Sequence, residues 1–241
     1  VSRPKPDQMK ILLTGSTGYI GRRLLPALLA DDHEVICLVR DKRRFDWDDF
    51  SKVDLQKISV VEGDLSKGST LASAPVDFDV AYYLVHSMSS SHEDFTRIES
   101  ESAKNFVELV NRSNAKQIIY LSGIVNDEAL SSHLLSRKNV EDILKTSKVP
   151  ATVLRAAIII GSGSASFEII RDLVEKLPVM IAPRWLKTRC QPIGIRNVIE
   201  YLQGVMLKPE SFNQSFDIGG ADILTYKEML LGYARVRKLK R

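Results

Sequence analysis

LLTGSTGYIG, running from Leu12 to Gly21, decides the fold of this chain. It continues the apolar run that starts at Lys10, and it opens into GRRLLPALLA, where apolar residues recur at helical spacing. Gly15, Gly18 and Gly21 therefore lie between a strand and a helix, the context in which each glycine has its own task. Gly15 permits a tight turn, Gly18 lets backbone amides approach a pyrophosphate, and Gly21 lets the helix pack close to its strand. Ser16, Thr17, Tyr19 and Ile20 fill the loop between them, and the helix N-terminus presents its unpaired N–H groups to an anion. A tight turn that binds nothing is the plainer reading of the same residues.

Working outward, VICLVR, ISVVEGDL, DVAYYLVH, KQIIYLSG and ATVLRAAIII are short runs apolar on both faces, as central strands of a parallel sheet require. GYIGRRLLPALLAD, FTRIESESAKNFVELVNRSN and LLSRKNVEDILKTS separate them with helical spacing. The alternation predicts an α/β fold, a doubly wound parallel sheet with right-handed crossovers, over residues 10–160 behind a tail at 1–9. Residues 161–241 are expected to form a smaller lobe packed on the same domain and facing the substrate. No internal repeat or Gly/Ser linker divides the chain.

The 241 residues with 44% hydrophobic content suffice for a real core, which excludes disorder as the main state. A net charge of +4, from 34 basic and 30 acidic residues, gives no reason to expect nucleic acid. The basic ending RVRKLKR reads either as a surface patch or as the stub of a further C-terminal domain. Two cysteines, Cys37 and Cys190, suit a reducing compartment, and no apolar run reaches the roughly 20 residues of a membrane span. A cytoplasmic protein, monomer or homodimer, acting on a small molecule follows as the expectation.

Where NAD-binding sites carry an acid at the end of the second strand, VICLVR ends in Arg40. An arginine suits a 2′-phosphate and favours NADP over NAD. Asp41 is the counterweight, since it could hold the ribose if the strand ran one residue further. Asp64, followed by Leu65, closes the third run and either accepts from the adenine amino group or forms an Asx turn. Leu84, Val85 and His86 leave the fourth run at the edge where a cofactor lies, and His86 is either a proton carrier or a packed side chain.

TGSTGYIG, the arginine after the second strand and GDL in the third together resemble the extended and atypical short-chain dehydrogenase/reductase superfamily, in its sugar-epimerase-like and NAD(P)H-binding regulator-like branch. The resemblance spans roughly residues 10 to 230. It implies a catalytic Ser or Thr near the end of the fifth strand, met by Ser122 in YLSG. It also implies a helix bearing Tyr-x-x-x-Lys with Glu four residues later, and HLLSRKNVE places His133, Arg137 and Glu141 there. VLRAAIIIGSGS matches the Arg-Pro-x-x-x-x-Gly segment through Arg155 and Gly161, and Asn197 replaces an Asp. With no Tyr-x-x-x-Lys pair, His133 can still exchange a proton near pH 7, whereas Arg137 can hold ribose oxygens but stays protonated.

Three functions remain open on these residues: an NADP-dependent oxidoreductase, a dinucleotide-binding redox sensor or scaffold without turnover, and an epimerase-like isomerase. Ser122, His133 and Arg155 favour a reaction, while the missing pair favours binding alone. GSGSASFE is either a flexible anion-binding wall or a helix N-cap by Ser164 or Ser166, completed by Glu168. Trp185 in PRWLKTR is either part of a lid or a packing anchor.

Overall fold

The computed structural model describes residues 8–48, 50–86, 92–124, 132–176 and 184–239, except the side chains of 92–95, 132–134 and 184. In chain order the elements are β1 Lys10–Thr14, α1 Gly21–Ala30, β2 Glu34–Val39, α2 Lys52–Leu55, β3 Ile58–Glu62 and β4 Val80–Tyr83. There follow α3 His92–Asn111, β5 Gln117–Gly123, α4 Ser132–Leu144, β6 Ala151–Ala156, β7 Ile159–Ile160 and α5 Ala165–Lys176. The last are β8 Arg189–Cys190, β9 Ile193–Gly194, α6 Ile195–Gly204, β10 Ser215–Ile218, β11 Leu224–Thr225 and α7 Tyr226–Val236.

The large sheet has the order β10-β6-β5-β4-β1-β2-β3. Pairing is parallel between β1 and β2, β2 and β3, β1 and β4, and β4 and β5, with Leu13 opposite both Cys37 and Tyr82. The strand order reverses between β1 and β4, so the doubly wound expectation holds and the ligand crevice falls at the carboxyl ends of these two strands. Both faces of the strands are covered, which is why their sequences are continuously apolar. Leu12, Ala81, Tyr83, Ile118 and Tyr120 share a core with Ala103, Phe106 and Val110 of α3. Tyr83 meets Phe106 and Tyr120 edge-on, with ring centroids 4.9 and 5.7 Å away.

The chain divides into two compact units, but not at one boundary. The first comprises 1–155 and 199–216, the second 156–198 and 217–241. Residues 199–216 lie with the first unit, where polar side chains hold them. Fully buried Gln117 donates from Nε2 to Thr152 Oγ1 at 2.7 Å and to the Val205 carbonyl at 3.0 Å. Its Oε1 accepts the Leu207 N–H at 2.5 Å. Leu207 has φ +51°, a conformation that costs about 1 kcal/mol or more in a non-glycine residue and must be held by its surroundings. Tyr82 Oη donates to the Leu202 carbonyl at 2.8 Å, and Gln203 Nε2 donates to Asp31 Oδ2 at 2.6 Å.

The second unit pairs β7 with β9 in parallel and β11 with β8 antiparallel. Its core joins Ile170 and Val174 of α5 to Met229, Leu230 and Ala234 of α7. Thr225 and Glu228 form a reciprocal capping box that starts α7.

Replacing Gln117 by Leu leaves the Leu207 N–H without its acceptor and removes one donor from the Val205 carbonyl, which keeps those of Lys208 and Ser211. Gln117→Leu is expected to lower stability by about 3 kcal/mol, read as a lower urea midpoint with an unchanged m-value.

Candidate functional site

At the carboxyl end of β1 the glycine loop is built from bare backbone. Gly15 has φ +73°, and a Cβ there would lie 2.5 Å from the Leu84 carbonyl oxygen. A Cβ on Gly21 would lie 2.2 Å from the Gly15 carbonyl oxygen. The Gly18 N–H donates to that same oxygen at 2.9 Å, closing the turn. Thr14 Oγ1 ties the two strands at this edge, donating to the Tyr82 carbonyl at 2.9 Å and accepting the Leu84 N–H at 3.2 Å. The helix that follows has no side-chain cap, and no acid stands in its first turn. Its positive end thus remains available to an anion. Ser16 Oγ is buried beside it, and among the described residues it has no hydrogen-bond partner within geometric limits. These features fit a dinucleotide pyrophosphate, which would supply acceptors for the loop. Thr17 is exposed, and the Arg23 guanidinium stacks over the Tyr19 ring 3.9 Å from its centroid.

The second strand ends at Val39, which leaves Arg40 exposed just beyond it. Asp41 caps the next turn and accepts from Arg43 through N–H at 3.0 Å, Nε at 2.9 Å and Nη2 at 2.8 Å. These hydrogen bonds hold its carboxyl below the usual range and occupy it within the chain. A crevice lined by Ser16, Thr17, Arg22, Arg44, Phe45 and Asp46 opens beside the loop. Asp64 Oδ1 accepts from the Ser66 N–H at 3.0 Å and hydroxyl at 2.8 Å, so it closes an Asx turn. Leu65 is a core side chain, 5% exposed, and its carbonyl accepts from Asn105 Nδ2 at 2.7 Å. Val85 likewise packs against that core, whereas Leu84 contributes the carbonyl that backs Gly15.

Around the ends of β4 and β5 the polar groups include three that the sequence reading missed, Glu99, Ser136 and Tyr120. His86 Nδ1 lies 3.7 Å from Oε1 of buried Glu99, and Ser136 donates to Glu99 Oε2 at 2.6 Å. The protein packed around His86 pushes its pKa below the usual histidine value, Glu99 opposes this, and the charge of Arg137 adds to it. A signal for Glu99 was present: it stands four residues before Ala103 and seven before Phe106, on the buried stripe of α3. Ser122 Oγ and Tyr120 Oη are both buried, and among the described residues neither has a hydrogen-bond partner within geometric limits, although they are close enough for Ser122 to lower the Tyr120 pKa. They point to the same face of β5, and burial pushes the Tyr120 hydroxyl up to about 12.

On α4, Arg137 is half-buried, and the His133 side chain lies outside the described residues. Glu141 does not join a reacting group. It is 2% exposed and accepts from Arg155 at 2.8 and 3.0 Å, Lys145 at 2.7 Å and Ser215 at 2.8 Å. Burial favours its neutral form, but these donors and the Arg155 charge draw its pKa down to about 2. Arg155 is thereby engaged in a structural ion pair. In the second unit, Ser164 Oγ accepts the Phe167 N–H at 3.1 Å and Glu168 accepts the Gly163 N–H at 2.9 Å. GSGSASFE is thus a helix cap, with Ser164 as the capping residue. Among the described residues no three His, Cys, Asp or Glu side chains form a metal cluster, and no helix is long and apolar enough to cross a membrane.

A family model described as NAD(P)H-binding matches residues 15–175. Photosystem II assembly factor Ycf39 of Trieres chinensis is 23% identical over 96% of this chain and 72% of its own length. Ceramide reductase of Caulobacter vibrioides is 26% identical over 70% of this chain and 52% of its own. Divinyl chlorophyllide a 8-vinyl-reductase of Arabidopsis thaliana is 24% identical over 89% of this chain. The matches to these two reductases span about half of each relative's length, 52% and 54%. Among solved structures, an epimerase of Methanothermobacter thermautotrophicus superposes with TM-score 0.77 at 13% identity, covering 96% of this chain and 78% of that one. The NAD-bound dTDP-glucose 4,6-dehydratase of Streptomyces venezuelae gives 0.76 at 14% identity, covering 95% and 81%. Both likenesses are of fold.

Gly15→Ala should cost at least a hundredfold in dinucleotide affinity, measured by fluorescence titration, because the new methyl meets backbone that cannot rotate away. Glu141 carries a depressed carboxyl, so its contribution is complete above its ordinary 4.5 and is lost as the pH falls toward 2. Melting temperatures should therefore drop steeply between about pH 5 and pH 2, and Glu141→Gln should flatten that drop while lowering stability at pH 7.

Proposed function

Since the chain belongs to the NAD(P)H-binding family, we propose that it is an NADP-dependent oxidoreductase acting on a small organic substrate. The observation that carries this reading is the set of groups at the ends of neighbouring β4 and β5: the His86–Glu99 pair and the buried hydroxyl of Ser122, which has no hydrogen-bond partner within geometric limits among the described residues. A purely structural end to these strands has no need of such groups, and ligands of open α/β sheets bind at this edge. Two relatives named as reductases support the same class.

In this reading Gly15 to Gly21 hold the pyrophosphate, and Arg40 and Arg44 receive the ribose 2′-phosphate. Asp41, already engaged by Arg43, does not compete for the ribose. A bound reduced nicotinamide supplies a hydride. Arg137 holds ribose oxygens and, being always protonated, relays no proton. Proton exchange falls to His86, with Glu99 facing one ring nitrogen and Ser136 fixing that carboxylate. Ser122 donates to the substrate oxygen. His133, at the position of the family's tyrosine, is the second candidate for the proton. The match to an assembly factor over 96% of the chain supports a second reading, a dinucleotide-dependent scaffold or sensor.

Titration with both reduced cofactors should show NADPH bound at least tenfold more tightly than NADH, a preference erased in Arg40→Ala combined with Arg44→Ala. Equal affinity, or tighter NADH, would remove the role of these arginines. Across a panel of quinones, flavins, aldehydes and enones, His86→Gln should reduce NADPH consumption by roughly a hundredfold at unchanged NADPH affinity. Tight binding with no turnover on any of these compounds would transfer the assignment to the sensor.

A further inference from the structure

The second unit contains a concavity of its own, of about 160 Å³. α5, α7 and the turn at Arg184–Lys187 enclose it through Ile158, Ile170, Leu173, Trp185, Tyr226 and Leu230. Ile170 and Leu230 form its floor, 6% and 5% exposed, and belong to the core of this unit. Its rim is different. Ile169 is 61% exposed and Trp185 is 45% exposed, although both are large apolar side chains whose burial would be favourable. Trp185 is nevertheless held in place, edge-on to Tyr226 with centroids 5.4 Å apart and planes at 88°. An ordered aromatic ring that stays half-exposed beside a hollow is a surface prepared for contact.

The lining sets the chemistry of the occupant. Among the described residues none of the lining side chains carries a charge, and the polar ones are Ser166 and Tyr226, each with a hydroxyl. A nucleotide or phosphate would find no cation among them. An apolar cavity of about 150 Å³ stays dry and takes a benzene-sized molecule. We propose that this cavity binds one compact uncharged aromatic ring, bearing at most one small polar substituent that the Ser166 or Tyr226 hydroxyl meets. Its described lining residues all belong to the second unit, and the site does not rest on the dinucleotide reading.

The test uses the full chain and p-cresol as probe, with benzoate as the charged comparison of similar size, followed by calorimetry and ligand-observed NMR. The expected result is saturable one-to-one binding of p-cresol, with benzoate at least tenfold weaker. Leu173→Trp fills the hollow, and Ser166→Phe, at an exposed position, obstructs its mouth without touching the core. Each should weaken p-cresol at least tenfold while the melting temperature and NADPH affinity of Ser166→Phe stay unchanged. Absence of saturable p-cresol binding, equal binding of benzoate, or undiminished binding in Ser166→Phe would overturn the proposal. NADPH affinity is read in the same samples, so a failure of the cofactor assignment registers separately.

Discussion

One steric constraint organises the first unit: the close approach of backbone to backbone around Gly15. The loop leaves β1, its Gly15 lies against the Leu84 carbonyl at the end of β4, and α1 begins with Gly21 pressed on the Gly15 oxygen. Two strands and a helix thus converge where no side chain fits. The consequence is chemical as well as geometric, because the uncapped end of α1 and the buried Ser16 hydroxyl are both left for an external acceptor. The strand order reverses at this same place, so the crevice of the sheet and the anion site coincide.

Two buried acids then divide the remaining work. Glu141 is saturated by Arg155, Lys145 and Ser215, which makes it a tie between α4, β6 and β10 and withdraws Arg155 from any substrate. Glu99 is engaged by Ser136 and faces His86, whose ring is 34% exposed. A carboxylate surrounded by fixed cations has no protonation change to offer near neutral pH, whereas a histidine beside a carboxylate does. With no Tyr-x-x-x-Lys pair on α4, the histidine at the end of β4 is the group near the sheet edge that stands against a buried carboxylate. Arg137 connects the two, since its charge acts on His86.

The division of the chain obeys hydrogen bonds that no periodicity reports. Gln117, Tyr82 and Gln203 each reach more than 80 residues along the chain to hold 199–216 in the first unit. A buried glutamine reads in sequence as an interruption of an apolar run. In the fold it supplies the acceptor for the Leu207 N–H, which would otherwise be unpaired in a dry interior, and adds a donor to the Val205 carbonyl.

Local repetition made much of this protein legible in its residues alone. Continuous apolar runs specify parallel strands covered on both faces, helical spacing specifies the crossovers, and three glycines between strand and helix specify a backbone-lined anion site; all depend on neighbours close in sequence. The partners that cross between elements depend on distant residues. Glu141 met Arg155 and Leu65 went into the core, whereas Asp64 and Asp41 closed local turns with Ser66 and Arg43. The place of Glu99 on the buried stripe of α3 was legible, but its facing His86 and the hollow beside Trp185 emerged only once helices had packed. Spacing determines which face a residue occupies, but the charge, hydroxyl or void it meets there is set by elements that the tertiary structure brings across.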